Sequence, residues 1–226
     1  MTVGFIFSET KNRRNKRDGD EFKRCASELQ ELWEGDQNLS RSKLILAGAE
    51  NKTAKRELVY STLRRTSDLQ RIAFLCHGWP SGISMGFDSK HVAQLARAIA
   101  SSCCSNVVYI GLFACLTGMG KFWGGKRNKK NLNDRAEKIV TPREGFAMYL
   151  CSELDKLGIH AVITAHLTSG HTTRNPYKVR IEERNGLINR QRMCPSSPSV
   201  DWRDWVKRLN SDQPFALETM LNRKHG

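Results

Sequence analysis

The sequence holds no apolar run approaching the roughly 18 residues that a membrane-spanning helix needs, and Val3-Gly4-Phe5-Ile6-Phe7 is too short for the apolar core of a signal peptide. No Cys-x-x-Cys pair is present, so a zinc ribbon is not indicated. The 7 cysteines leave at least one unpaired, which does not suggest a disulfide framework. There is no internal repeat and no helix-turn-helix, zinc-finger or ribonucleoprotein motif. Acidic residues are scarce: 23 Asp+Glu face 37 Lys+Arg, a formal charge of +14. What is present is a hydrophobic content of 39% in 226 residues, enough to exclude full disorder and to build one sizeable core. The expectation is a soluble, cytoplasmic protein with reduced thiols and no membrane association. It is read as one domain over 1–226, with a core over about 1–184 and a C-terminal helical extension over about 197–226.

The positive charge gathers in two places, Lys11, Arg13, Arg14, Lys16 and Arg17, and Lys121, Lys126, Arg127, Lys129 and Lys130. Phe122 and Trp123 lie in the second cluster and offer stacking faces to bases, so contact with a nucleic acid or another polyanion is one reading. A solvated basic loop is the other.

Five apolar runs have the length and β-branched content of strands buried on both faces: Val3 to Phe7, Leu44 to Ala47, Ile72 to Cys76, Val107 to Phe113 and Ala161 to Thr164. Amphipathic helices separate them. Phe22, Ala26, Leu29, Leu32 and Trp33 form one stripe, stopped at Gly35. Leu58 and Leu63 suggest a shorter helix, and Ser89 to Ser102 a third with Val92, Leu95, Ala96 and Ile99 on one face. Thr141-Pro142-Arg143-Glu144 predicts a capped start for a fourth, which runs through Phe146, Leu150, Leu154 and Leu157 to Gly158. Strict alternation of strand and helix implies an α/β fold with a mostly parallel sheet and helices on both faces. A sixth strand, Lys178 to Glu183, follows a connection too short for a crossover helix and is expected to be antiparallel or at an edge. Leu116 to Val140 and Asn185 to Pro198 read as irregular. Trp202, Trp205, Val206 and Leu209 form a helical stripe near the C-terminus.

In an open parallel sheet, ligands bind outside the carboxyl ends of the strands. Cys76-His77-Gly78 follows the third run and Ala114-Cys115-Leu116 the fourth. A thiol and a general acid/base therefore stand at one sheet edge, 38 residues apart (115 − 77), with one helix between them. A cysteine is intrinsically nucleophilic, and a nearby His helps to form the thiolate and protonates a leaving amine. Gly78 lets the backbone approach a substrate, and the amides of Gly78 and Cys115 are candidates for an oxyanion hole. Either dipeptide alone carries almost no information; their placement does.

The blocks Ile72-Ala73-Phe74-Leu75-Cys76-His77-Gly78 and Val107-Val108-Tyr109-Ile110-Gly111-Leu112-Phe113-Ala114-Cys115 resemble the His-Gly and Ala-Cys signature of caspase-like cysteine peptidases. The resemblance implies a caspase-like three-layer α/β/α sandwich with about six strands, with Cys115 as nucleophile and His77 as its catalytic partner. It implies a protein or peptide substrate and no cofactor. Phe113 stands where caspases usually place a glutamine, so their preference for aspartate does not carry over.

Competing motifs are weaker. Gly118-Met119-Gly120-Lys121 fails as a phosphate loop, with Cys115 at the first glycine position and Phe122 in place of the hydroxyl. His166 and His171 lack a third ligand at recognisable spacing, so no metal is expected. His166, Thr168 and Ser169, which follow the fifth strand, and Asp88, near the His loop, are expected to line the substrate cleft. Asp88 would suit a basic side chain, Arg174 or Arg180 an acidic one. Two readings stay open beside the peptidase: a basic binding protein for nucleic acid or an acidic partner on the same fold, and a silent scaffold.

Overall fold

A computed structural model describes residues 3–10, 16–35, 41–48, 51–119, 145–167, 169 and 178–193. The apolar runs become a central seven-stranded sheet: β1 (Val3–Glu9), β2 (Arg41–Ala47), β3 (Leu69–Leu75), β7 (Val107–Phe113), β8 (His160–His166), β9 (Lys178–Arg184) and β10 (Leu187–Met193). Their spatial order is β2-β1-β3-β7-β8-β9-β10. The first five in that order run parallel, whereas β9 is antiparallel to β8 and β10 to β9.

Four described helices, α1 (Lys16–Glu34), α2 (Lys52–Arg64), α3 (Val92–Ala100) and α4 (Phe146–Asp155), join the strands. Strand alternation splits the core in two. Ile6, Ala73, Leu75 and Phe113 meet Phe22, Cys25, Ala26, Leu29 and Trp33 of α1 on one face. Phe7, Ile72, Phe74, Ile110, Leu112 and Ile163 meet Val59 and Leu63 of α2, Leu95 and Ile99 of α3, and Leu150 and Leu154 of α4 on the other. Helices on both faces agree with a layered α/β/α arrangement. No helix among the described residues is long and apolar enough to cross a membrane.

Several boundaries differ from the sequence reading, each for a local reason. The third helix starts at Val92 rather than Ser89, because the Asp88 carboxylate accepts from the Lys90 amide at 2.9 Å and lies 2.7 Å from His91 Nδ1, closing a turn there. Helix α4 starts at Phe146, with extended Gly145 as its N-cap and no side-chain cap. Thr141 to Glu144 lie outside the described residues. The segment from Asn185, read as irregular, contains β10. Asn185 and Gly186 both take positive φ, 52° and 76°, the geometry a two-residue hairpin demands. Asp155 at the end of α4 accepts from both of their amides, at 3.0 and 3.1 Å. The sixth expected strand is antiparallel, as anticipated, but β10 takes the edge beside it. Between β3 and α3, three two-residue strands, β4 (Gly78–Trp79), β5 (Gly82–Ile83) and β6 (Phe87–Asp88), form a small separate sheet.

Also outside the described residues are the C-terminal stretch with Trp202 to Leu209, positions 120–140 of the segment read as irregular with the whole second basic cluster, and Lys11, Arg13 and Arg14 of the first. Lys16 and Arg17 lie within α1, but their side chains are not described.

Lys55 of α2 reaches back to Glu9 at the end of β1, Nζ to Oε1 2.9 Å, with side-chain exposures of 14% and 9%. Removing one partner from a nearly buried pair strands the other charge. Lys55→Met is therefore expected to cost about 2–4 kcal/mol in urea unfolding, and the double variant Lys55→Met/Glu9→Gln is expected to recover much of that loss.

Candidate active site

The candidate residues are brought together by the pairing of β3 with β7. Its register runs from Arg71↔Tyr109 to Leu75↔Phe113, a constant offset of 38 residues. That offset equals the spacing of His77 and Cys115, so the register delivers both loops to the same edge of the sheet, each starting from its last paired residue. Alternation continues the pattern. His77 follows Ala73 and Leu75, and Cys115 follows Phe113, all three of which face α1.

Contacts beyond the strands agree. The Phe22 ring of α1 meets the His77 imidazole at 5.0 Å between centroids and 83° between planes. A Cβ placed on Gly78 would lie 2.7 Å from the Cys115 carbonyl oxygen and 2.8 Å from Ala114 Cβ. Only a glycine lets the two loops approach so closely. The His77 carbonyl accepts from Ser84 at 2.9 Å, and Pro80 accepts from the Phe146 amide at 2.8 Å, which ties the small sheet to the start of α4.

The turn after β7 is held on three sides. The Thr117 hydroxyl donates back to Ala114 at 2.8 Å, the Gly118 amide donates to His166 of β8 at 2.9 Å, and the Ala147 amide of α4 donates to Thr117 at 3.3 Å. Leu116, immediately after the candidate nucleophile, has φ of 63°. A branched side chain in the left-handed region costs about 1–2 kcal/mol and persists only where surrounding contacts enforce it.

The cysteines separate by environment. Cys25 is buried. Burial, with the Glu9 charge adding to it, raises the Cys76 thiol far above its ordinary value. Burial pushes Cys103 and Cys151 up to about 12. Cys115 is half-buried and Cys104 exposed. A thiolate is the attacking species, so a strongly raised pKa makes a thiol inert at neutral pH.

The expected cleft residues do not form one group. His166 is buried, at 1% exposure, with its ring nearly perpendicular to that of Phe113 at 6.1 Å between centroids. Asp88 is committed to the turn before α3. Partial burial opposes its ionisation, but the bonds from His91 and the Lys90 amide outweigh this and hold it below its usual value. Ser169 is exposed, and Thr168, His171 and Arg174 lie outside the described residues. Arg180 pairs with Glu182, Nη2 to Oε1 2.6 Å. No group of three or more His, Cys, Asp or Glu among the described residues is placed to hold a metal ion. A cavity of about 310 Å³ is lined by Gly48, Ala54, Lys55 and Leu58, at the β2–α2 connection. Its lining includes neither His77 nor Cys115.

Sequence reasoning missed two neighbours of the site. Phe22 was read only as one apolar residue of a helical stripe. Lys178, 1% exposed, holds its Nζ 4.3 Å from the centroid of the Phe113 ring, a cation–π contact two residues before Cys115. Aromatic residues spaced along a helix give no sign of which ring meets a loop residue, and a lone Lys opening a strand reads as solvent-exposed.

The chain matches no protein-family model, no curated protein and no solved structure.

Two outcomes follow from the geometry. Brief alkylation of the native protein at pH 8, mapped by peptide mass, is expected to leave Cys76, Cys103 and Cys151 unmodified and to modify Cys115 and Cys104. Substituting Gly78→Ala forces backbone to move at the Cys115 carbonyl. It is expected to cost about 1–3 kcal/mol in thermal or urea unfolding and to slow alkylation of Cys115 relative to Cys104.

Proposed function

We propose that this protein is a caspase-like cysteine endopeptidase acting through a Cys115–His77 dyad. The observation that carries the reading is the match between the His77-to-Cys115 spacing and the β3–β7 register, together with the fit of Gly78 against the Cys115 backbone. The mostly parallel sheet with helices on both faces supports the α/β/α sandwich that the resemblance of the two sequence blocks implies.

In this mechanism His77 takes the thiol proton and the Cys115 sulfur attacks the scissile carbonyl carbon, whose π electrons move onto oxygen. The amides of Gly78 and Cys115 stabilise that oxyanion. Collapse breaks the C–N bond, and His77 gives its proton to the departing amine, leaving a thioester. Water then attacks the thioester. His77 accepts its proton, and the carboxylic acid leaves as the C–S bond breaks, regenerating the thiol. The sequence of steps needs no cofactor. The substrate is a protein or peptide, and a reducing cytoplasmic setting would keep the thiol active.

The test is covalent labelling with a panel of peptidyl electrophiles differing in their terminal residue, read by intact mass and peptide mapping. Selective modification of Cys115, dependent on peptide sequence and at least about a hundredfold slower in His77→Ala, is the expected result. Cys115→Ala is expected to abolish labelling and leave the thermal midpoint nearly unchanged. Indiscriminate modification of exposed thiols with Cys115 spared would overturn the reading and favour a binding role. That role would appear as nucleic-acid affinity with a steep salt dependence that does not change in Cys115→Ala.

A further inference from the structure

His77 leaves β3 at its carboxyl end, where its backbone is fixed by the Ser84 amide on its carbonyl and by the fit of Gly78 against Cys115. Fixing the backbone does not fix the ring. The χ2 torsion of histidine is broad and roughly two-fold, so an imidazole at a loop entrance needs a side-chain neighbour to set its plane. The described neighbour in ring contact is Phe22, at 5.0 Å and 83°.

We propose that Phe22 is a positioning residue that sets the plane of the His77 imidazole toward Cys115, which makes helix α1 part of the active site. The inference rests on the peptidase reading, which supplies the reason for a fixed imidazole. Phe22 is suited to the task by its own immobility. It is 7% exposed and belongs to the cluster formed by Cys25, Ala26, Leu29, Leu75 and Phe113. Two members of that cluster are the residues two before His77 and two before Cys115. The ring thus belongs to the same apolar cluster as both strands that carry the dyad. An edge-to-face pair favours one mutual orientation, a preference that an aliphatic side chain of similar size does not impose. The positioning acts on His77 alone, so it should be felt in the rate of thiol attack and not in the binding of peptide.

The experiment compares the wild-type chain with Phe22→Leu, which keeps apolar bulk, and Phe22→Tyr, which keeps the ring. A peptidyl electrophile that labels Cys115 gives the rate constant of labelling and the half-saturating concentration separately. In Phe22→Leu the rate constant is expected to fall about three- to tenfold with half-saturation unchanged, and Phe22→Tyr is expected to restore it. In the same samples the His77 ring protons should show a ring-current displacement in NMR spectra that is lost in Phe22→Leu and kept in Phe22→Tyr. A folded Phe22→Leu that labels at the wild-type rate, with His77 resonances unchanged, overturns the proposal and leaves the peptidase reading standing. So does a wild-type spectrum with no ring-current displacement, a measurement that holds even if Phe22→Leu fails to fold. If no electrophile labels Cys115 in the wild-type chain, the peptidase reading fails, and the role assigned to Phe22 fails with it.

Discussion

The parallel pairing of β3 with β7 is the constraint on which the rest of the site depends. Each strand is buried on both faces, so a slip of one residue would exchange the side chains meant for α1 with those meant for α2, α3 and α4. Ala73, Leu75 and Phe113 would then leave the α1 side, and Ile72, Phe74 and Leu112 would enter it. The hydrophobic pattern that fills the two halves of the core therefore also fixes the register in which the two loops leave the sheet. The sheet beneath the two loops carries His77 and Cys115 to the same edge.

Around that register the backbone is cross-tied with few side chains. The His loop is closed by its own small sheet and joined to α4 through Pro80. The turn after β7 is joined to β8 through His166 and to α4 through Ala147. Leu116 holds a left-handed backbone within this frame, so the strain is borne by the neighbours rather than relaxed locally. The α1 side of the same sheet end is unusually polar for an interior: Thr164, His166, Lys178 and Arg180 are all buried there. Lys178 sits over the face of Phe113 and the His166 ring stands nearly perpendicular to it, so one aromatic ring contacts two ionisable side chains close to the candidate nucleophile.

The sequence was most informative where burial repeats. Runs apolar on both faces marked β1, β3, β7 and β8, and the stripe at Phe22, Ala26, Leu29 and Trp33 marked α1. The run Leu44 to Ala47, expected to be buried on both faces, is instead an edge strand of which Ala47 alone is buried, because no strand covers its outer side. The pair His77 and Cys115 was legible because each ends such a run. Elements that depend on hydrogen bonding more than on apolar burial were not. β10 has three apolar residues, two of them adjacent at its start and exposed, Leu187 and Ile188, so periodicity gave no sign of it, although Asn185-Gly186 carries the turn chemistry that makes it. The two-residue strands after His77 are too short for any pattern. Asp88 looked like a pocket carboxylate because its partner His91 lies three residues away on a turn that is not evident from residue types. His166 was read from its position at a strand end, which says where a residue is but not whether its ring turns inward.

The offset of 38 residues between the paired strands also bears on the order of assembly. Helix α3 and the small sheet lie between β3 and β7, so nearly forty residues must be ordered before the two ends meet, and such non-local parallel pairing is a late event in folding. A chain emerging from the ribosome exposes His77 and its loop before Cys115 emerges. Until β7 docks, the thiol and the imidazole belong to separate parts of an unfinished chain. The two loops are brought to one place only by the finished sheet, so any joint action of thiol and imidazole has to wait for folding to complete.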